Sequence, residues 1–171
     1  MSKLLYQQKI LSREHLAIQI HLRQLAGERG VFTNGCFDLL HLGHIRYLQE
    51  ARNLGDFLIL ALNSDKSTRH LKGPGRPLVA EEERAEILAA LTCVDYVTIF
   101  GEATASPLIE SIQPSIYVKG GDYAGAHSDL PDTNRLPEAK VVQAYGGLVH
   151  LIAYLPHHST TELIAKIKGL G

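Results

Sequence analysis

The feature that most constrains the fold is the alternation of short apolar runs with amphipathic helical segments. The apolar runs predict five strands, at residues 31–34, 57–62, 94–100, 116–118 and 148–153. The run 57–62 is apolar at every position, which is typical of a strand buried on both faces. Strands separated by helices favour a parallel sheet with right-handed crossovers. We therefore expect an α/β fold, a single doubly wound domain with a five-stranded parallel sheet.

Capping signals define the helices between these strands. Ser12 begins a predicted helix that reaches residue 26, with Ile18, Leu22 and Leu25 on one face and Gly27 as its stop. Further helices are predicted at residues 43–54, 81–91, 106–112, 138–145 and 159–168. The segment 63–77 is treated as a connection that leaves a strand, and 124–137 is predicted to be a surface loop.

Composition excludes several classes of protein. The chain has 171 residues, which is the length of one domain, and residues 1–30 read as an N-terminal helical extension of it. A formal net charge of −1 argues against a broad electrostatic surface for nucleic acid or another polyanion. The apolar run at 57–62 is too short to span a membrane, and we expect neither a span nor a secretory signal. Two cysteines fit a reducing cytoplasm.

Ligands of open parallel sheets bind at the carboxyl ends of the strands, where the strand order reverses. Four segments leave predicted strands at that edge, at residues 34–44, 63–77, 119–123 and 156–161. They are also the segments richest in Gly, Lys, Arg, His, Ser and Thr. We therefore expect the functional residues in these loops.

The strongest of these segments is T-N-G-C-F-D-L-L-H-L-G-H at residues 33–44. His41 and His44 are three residues apart and share one face of the first turn of a predicted helix. A helix N-terminus attracts phosphate, and Gly43 lets an anion approach the backbone. The same residues also fit a surface histidine beside a helix-packing one. A metal pair is a third interpretation, although no further ligands at zinc spacing are evident nearby.

Charged residues in the second segment allow two interpretations each. Lys72 and Arg76 lie in K-G-P-G-R-P, a stretch suited to a lid over phosphates or to an ordinary solvated loop. Asp38 fits a ligand of sugar hydroxyls or metal-bound water, and equally a turn-stabilising residue. Asp65 could touch substrate or cap a helix.

The last two segments are also compatible with ligand binding. The glycines of K-G-G-D at 119–122 allow close approach of a base or ribose, or simply make a turn. Ser159 and Glu162 form the pattern of a capping box, and the same helix N-terminus suits a nucleotide.

Taken together, these motifs resemble the signature of the cytidylyltransferase-like nucleotidyltransferases, and in particular the ADP-heptose synthase type of adenylyltransferase. The resemblance begins with the string at 33–44 and extends over nearly the whole chain. Its further matches are A-R-N-L-G-D at 51–56, N-S-D at 63–65, L-K-G at 71–73, R-P at 76–77, Arg84, L-A-A-L at 88–91, V-D at 94–95, V-K-G-G-D-Y at 118–123 and S-T-T at 159–161.

The resemblance implies a Rossmann-like fold and transfer of AMP from ATP to D-glycero-β-D-manno-heptose 1-phosphate. The products would be pyrophosphate and ADP-heptose, a lipopolysaccharide-type precursor. A sugar 1-phosphate is already mostly ionised at pH 7, so this reaction needs aligned anions rather than a general base. Nucleotide chemistry implies Mg²⁺ held mainly by phosphate oxygens and water; this ion needs few protein ligands, and we assign none. We expect a homodimer without nucleic-acid or membrane partners.

The resemblance also assigns site residues. The expected catalytic residues are His41, His44 and Lys72. The expected nucleotide-binding residues are Thr33, Asn34, Gly35, Cys36, Phe37, His41, Gly43, His44, Lys119, Gly120, Gly121, Asp122, Ser159, Thr160 and Thr161. The expected substrate-binding residues are Asp38, Asn63, Asp65, Lys72, Arg76 and Arg84.

One stretch departs from the pattern. Related cytidylyltransferases carry an Arg shortly before the S-T-T motif and the heptose branch commonly a Gly, whereas this chain has Pro156, His157 and His158. Two alternatives to the assigned activity stay open: an enzyme using CTP or glycerol 3-phosphate, and a non-catalytic nucleotide-binding module. A P-loop kinase is disfavoured because no G-x-x-x-x-G-K-[ST] occurs.

Overall fold

The structure, a computed structural model, describes residues 4–120, 136–153, 155 and 158–169. A 3₁₀ helix at Leu5–Lys9 precedes a regular alternation of helices and strands. The strands are β1 (Gly30–Gly35), β2 (Phe57–Asn63), β3 (Tyr96–Phe100), β4 (Ile116–Gly120) and β5 (Leu148–Ile152). The helices are α1 (Arg13–Leu25), α2 (Leu42–Arg52), α3 (Asp65–Lys72), α4 (Glu81–Ala89), α5 (Ser106–Ile112), α6 (Pro137–Ala144) and α7 (Thr160–Lys168).

The five strands form one parallel sheet with the order β3-β2-β1-β4-β5. Every residue of β2 is buried, as its unbroken apolar sequence predicts. The chain order reverses between β1 and β4, which pair through Val31 with Ile116 and Phe32 with Tyr117. The predicted fold class is therefore confirmed, and the reversal marks the edge at which a ligand is expected.

Helices cover both faces of the sheet. On one face α2 and α4 bury Leu48 and Leu88 against Leu58 and Leu60 of β2. On the other face α1, α5 and α6 pack against Phe32 and Ile59; their buried residues include Leu16, Ile20, Leu108, Ile109, Ala139 and Val142. Alternate residues of β2 thus serve opposite cores, which fixes the register of the central strands.

Two features of the helices differ from the expectation. Residues 65–72 form α3, which Ser64 caps by accepting a hydrogen bond from the N–H of Ser67. The helix is polar and buries only Ser67 and Thr68, so its sequence has no apolar periodicity. Helix α1 spans its predicted range, but the face formed by Ile18, Leu22 and Leu25 is exposed. Leu16 and Ile20 make its core contacts instead.

The division into one domain with an N-terminal extension, and the dimer, stay predictions. Of the predicted surface loop at 124–137, residues 124–135 lie outside the described residues, and Pro137 begins α6. Within the described part of the chain, no helix has the length and apolar character needed to cross a membrane.

Candidate functional site

A broad cavity of about 1070 Å³ opens at the carboxyl ends of the strands, above the β1–β4 reversal. All four segments singled out from the sequence contribute to its wall. Those of its residues that were expected to bind ligand are Asn34, Gly35, Cys36, Phe37, Asp38, His41, Gly43, His44, Asn63, Lys72, Arg76, Lys119, Gly120, Ser159, Thr160 and Thr161. Gly121 and Asp122 lie outside the described residues.

His41 and His44 form a stacked pair at the N-terminus of α2. Their ring centroids are 3.8 Å apart with 25° between the planes, and the ring of Phe37 lies 5.3 Å from that of His44. His41 occupies the N-cap position without making a side-chain cap. The Nδ1 atoms of both rings are buried, and no described residue forms a hydrogen bond with either. Buried polar atoms are normally paired, so this pair is poised to meet a ligand.

Gly43 allows close packing at this corner. A Cβ on Gly43 would lie 3.0 Å from Nδ1 of His41 and 3.2 Å from Cβ of His158. Gly35 plays a similar part, since its Cβ would come within 2.9 Å of the Phe37 ring. Phe37 itself has a positive φ of 43°, which turns the chain sharply out of β1. The glycines therefore let the histidines and the chain around them pack closely.

The electrostatics of the pair favour neutral rings in the free protein. Burial, together with the neighbouring His41, lowers the pKa of His44 to about 4. Burial also lowers the pKa of His41, and His158 lowers it further while Glu162 opposes the shift. An anion bound beside the stacked rings would favour their protonated forms. The two imidazoles can therefore respond to phosphate by gaining charge.

The lowered pKa of His44 predicts a stability loss in mild acid. Between pH 6.5 and about 4 the unfolded chain binds a proton at His44 that the folded chain does not. Stability is therefore full above about pH 6.5 and falls as the pH drops towards 4, by on the order of 3 kcal/mol for this group. Urea unfolding at about pH 7.5 and 4.5 measures the loss, and His44→Asn should lose less across that window. Equal losses in the two proteins would contradict the assignment.

Lys119 places a cation deep on the opposite side of the β1–β4 reversal. Its Nζ donates to both the backbone carbonyl and Oδ1 of Asn34, each at 3.1 Å, and the hydroxyl of Tyr117 donates to the same Oδ1 at 2.9 Å. Burial lowers the pKa of Lys119, Glu138 and Cys36 oppose the shift, and Lys72 adds to it. Lys72 and Lys119 both line the cavity and influence each other electrostatically. Two ammonium groups around one cavity are expected of a site for a polyanion.

Asp38 anchors the loop that follows α3. Its Oδ2 accepts from Nε of Arg76 at 2.5 Å, and its Oδ1 accepts from the N–H groups of Leu78 and Val79 at 2.8 and 3.0 Å. The carboxylate is 1% exposed. Asp38 therefore holds Arg76 at the cavity wall, which matches the turn-stabilising alternative raised by the sequence. Lys72, expected on a loop, is the last residue of α3.

Arg84 lies behind the cavity wall. Its guanidinium, which is wholly buried, donates to the carbonyls of Val79, Cys36 and Asn63 and to the carboxylate of Asp65. Arg84 thereby connects the carboxyl ends of β1 and β2 to the start of α4. Arg84 and Asp65 were expected to touch substrate, with a role in holding or capping a helix as the alternative for each. Neither lines the cavity. Ser64, and not Asp65, is the N-cap of α3.

Thr33, which was expected to bind the nucleotide, also does not line the cavity. It is fully buried in β1, and its hydroxyl lies 2.6 Å from that of Tyr47, which also donates to the Val118 carbonyl. The contact links β1, α2 and β4 beneath the site. Thr33 is therefore placed to support the site from below.

Glu138 and His158 line the cavity although neither was assigned a role from the sequence. Glu138 is 6% exposed, and its Oε1 accepts from the N–H of Ala105, which precedes α5. Its sequence signal is only that of an acidic residue in a first helical turn. The sequence signal for His158 is the departure from the family pattern just before the S-T-T motif, where this chain has histidines.

Comparisons with known proteins place the chain in a family. The family model described as "Cytidylyltransferase-like" matches residues 32–165 of the chain. The chain is 51% identical over 162 residues to the bifunctional protein HldE of Syntrophotalea carbinolica, and 50% identical over 159 residues to that of Geobacter sulfurreducens. These matches cover 95% and 93% of the chain. The chain spans only 31% of the length of each relative.

A solved structure supports the same conclusion. The lipopolysaccharide core biosynthesis protein from Thermoplasma volcanium aligns with a TM-score of 0.59 at 29% identity, covering 77% of this chain and 100% of the other. The resemblance inferred from the motifs is therefore confirmed, together with the nucleotidyltransferase class that it implies. By its sequence and its fold, this chain belongs to the cytidylyltransferase-like family.

Proposed function

We propose that the chain transfers AMP from ATP to a sugar 1-phosphate, D-glycero-β-D-manno-heptose 1-phosphate, and releases pyrophosphate and ADP-heptose. One observation carries the proposal: His41 and His44 stack at the N-terminus of α2, in a cavity that also holds Lys72 and Lys119, and no described residue pairs with the Nδ1 atom of either ring. Imidazole donors, ammonium groups and a helix N-terminus are the groups that bind phosphate.

The reaction needs alignment and charge stabilisation. A phosphate oxygen of the sugar attacks the α-phosphorus of ATP, a new P–O bond forms, and the bond from the α-phosphorus to the bridging oxygen breaks. The electron pair of that bond leaves with pyrophosphate. The nucleophile is already ionised at neutral pH, so the protein has to hold two anions in line and to stabilise the charge that develops.

The roles follow from the placement of the residues. His41 and His44, with the first N–H groups of α2, would bind the phosphates of ATP and stabilise the transition state. Lys72 and Arg76 also line the cavity and would hold the sugar phosphate or the departing pyrophosphate. Residues 34–37, Lys119, Gly120 and the start of α7 would contact the nucleotide. Thr33, Asp65 and Arg84 would act by positioning these segments.

Mg²⁺ is proposed to arrive with ATP. Among the described residues, no group of three or more His, Cys, Asp or Glu side chains could hold a metal ion. The nearby carboxylate of Asp38 is occupied by Arg76 and two backbone N–H groups. Phosphate oxygens and water would therefore supply the ligands of Mg²⁺, as is common for this ion.

The sugar is proposed from the family resemblance. The motifs resemble those of ADP-heptose synthases, the HldE proteins match 93–95% of the chain, and the aligned solved structure is described as a lipopolysaccharide core biosynthesis protein. We propose a cytoplasmic enzyme, since nucleoside triphosphates and phosphorylated sugars are made there. A homodimer remains part of the proposal.

A pyrophosphate-release assay tests the substrate pair. ATP and CTP are each combined with the heptose 1-phosphate and with glycerol 3-phosphate, in the presence of Mg²⁺. We expect rapid release with ATP and the heptose 1-phosphate. Faster release with CTP or with glycerol 3-phosphate would contradict the proposed substrates, and nucleotide binding without any release would indicate a non-catalytic module.

A further inference from the structure

His158 stands at the junction of two helix N-termini. It immediately precedes Ser159, the N-cap of α7, and it lines the same cavity as His41 and His44. A Cβ on Gly43, in the first turn of α2, would lie 3.2 Å from Cβ of His158. The first turns of α2 and α7 therefore meet at this point.

A second contact fixes α7 in that position. The hydroxyl of Thr160 donates to the carbonyl of Leu39 at 3.4 Å, which ties the first turn of α7 to the segment that leads into α2. The capping box of Ser159 and Glu162 is complete, with contacts of 3.1 Å in both directions. The Glu162 carboxylate is thus engaged by the Ser159 N–H and hydroxyl.

The contact of His158 with the first turn of α2 includes its Cβ, which lies 3.2 Å from the position of a Cβ on Gly43, and alanine would keep that contact. The ring belongs to the cavity wall and acts electrostatically on His41. Three imidazoles and two helix N-termini thereby surround one corner of the site. Both kinds of group favour a concentrated negative charge.

We propose that His158 is a third phosphate-binding histidine, which contacts the part of ATP that leaves as pyrophosphate. This inference rests on the proposed function only in that the cavity binds a nucleoside triphosphate; it is independent of the sugar. The pyrophosphate portion carries most of the negative charge of ATP, and a corner built from three imidazoles and two helix N-termini matches that charge. His158 binds the pyrophosphate portion of ATP beside His41 and His44.

Calorimetric titration with inorganic pyrophosphate, and separately with AMP, tests the inference without requiring turnover. His158→Ala should weaken pyrophosphate binding about tenfold, the usual consequence of losing a charge-assisted hydrogen bond, and should leave AMP binding unchanged. His158→Arg, which restores a donor, should bind pyrophosphate within about threefold of the original chain. The matched control is His150→Ala on β5, an exposed histidine that does not line the cavity.

The outcomes separate this inference from the proposed function. Unchanged pyrophosphate affinity in His158→Ala, or an equal loss for AMP and pyrophosphate, would overturn the role of His158. In that case ATP turnover by the original chain would still support the proposed function. A loss confined to pyrophosphate and restored by arginine would support the inference even if the sugar proved to be a different one. Thermal melting of each variant checks that the chain remains folded.

Discussion

Replacing His41 by alanine is expected to lower the turnover number by a factor of about 10² or more, the usual cost of losing one donor to a transition-state charge. The His41 ring stacks on His44 at 3.8 Å, and its Nδ1 is buried without a partner among the described residues. In the proposed reaction the His41 imidazole, which lines the cavity, donates to the charge that develops at the phosphates. The turnover number is measured from pyrophosphate release at saturating ATP and sugar 1-phosphate.

A second variant separates chemistry from folding at this position. His41 is the N-cap of α2 but makes no side-chain cap, whereas Asn is among the best N-cap residues. His41→Asn should therefore lose activity as His41→Ala does and unfold at the same or a higher urea concentration. The matched control is His21→Ala, an exposed histidine on α1. Full turnover in a folded His41→Asn protein would remove His41 from the mechanism.

Replacing Arg84 by methionine is expected to lower the free energy of unfolding by about 3–5 kcal/mol, the range for breaking a buried charged network. The variant leaves the Asp65 carboxylate without its partner and removes the donors for the carbonyls of Cys36, Asn63 and Val79. Methionine fills similar space, so the effect comes from polar groups left unpaired rather than from a void.

Urea denaturation measures this effect. The control is Arg69→Met on α3, an exposed arginine whose loss should change the free energy of unfolding by less than about 0.5 kcal/mol. Arg84→Lys should also be destabilised, because an ammonium cannot span the three segments that the planar guanidinium reaches. If Arg84→Met proved as stable as Arg69→Met, Arg84 would not be the link between the strand exits.

The sequence predicted the sheet well because its signal is local. The unbroken apolar run of β2 and the capping residue Ser12 act through their immediate neighbours, and both appear as expected. Helix α3 was missed because it is held by the Ser64 cap and not by an apolar face. The burial of α1 depends on which side meets the sheet, and Leu16 and Ile20 occupy that side in place of Ile18 and Leu22.

The site shows the same division between local and tertiary information. The motif at 33–44 lies in one stretch of chain, so the proximity of His41 and His44 followed from a three-residue spacing. Arg84 and His158 are different, because their partners are distant in sequence: Arg84 bonds Cys36, and His158 packs against Gly43. Contacts between residues distant in sequence decide which polar side chains face the cavity. Such contacts cannot be read from a single sequence.

The most direct test of the central claim is to follow the phosphorus atoms of ATP through the reaction. The chain is incubated with heptose 1-phosphate, Mg²⁺ and ATP labelled with ³²P either at the α-phosphorus or at the γ-phosphorus. Transfer of AMP predicts that the α-label appears in a nucleotide sugar and the γ-label in pyrophosphate. A γ-label found on the sugar, or an α-label that stays in ATP, would contradict nucleotidyl transfer at this site.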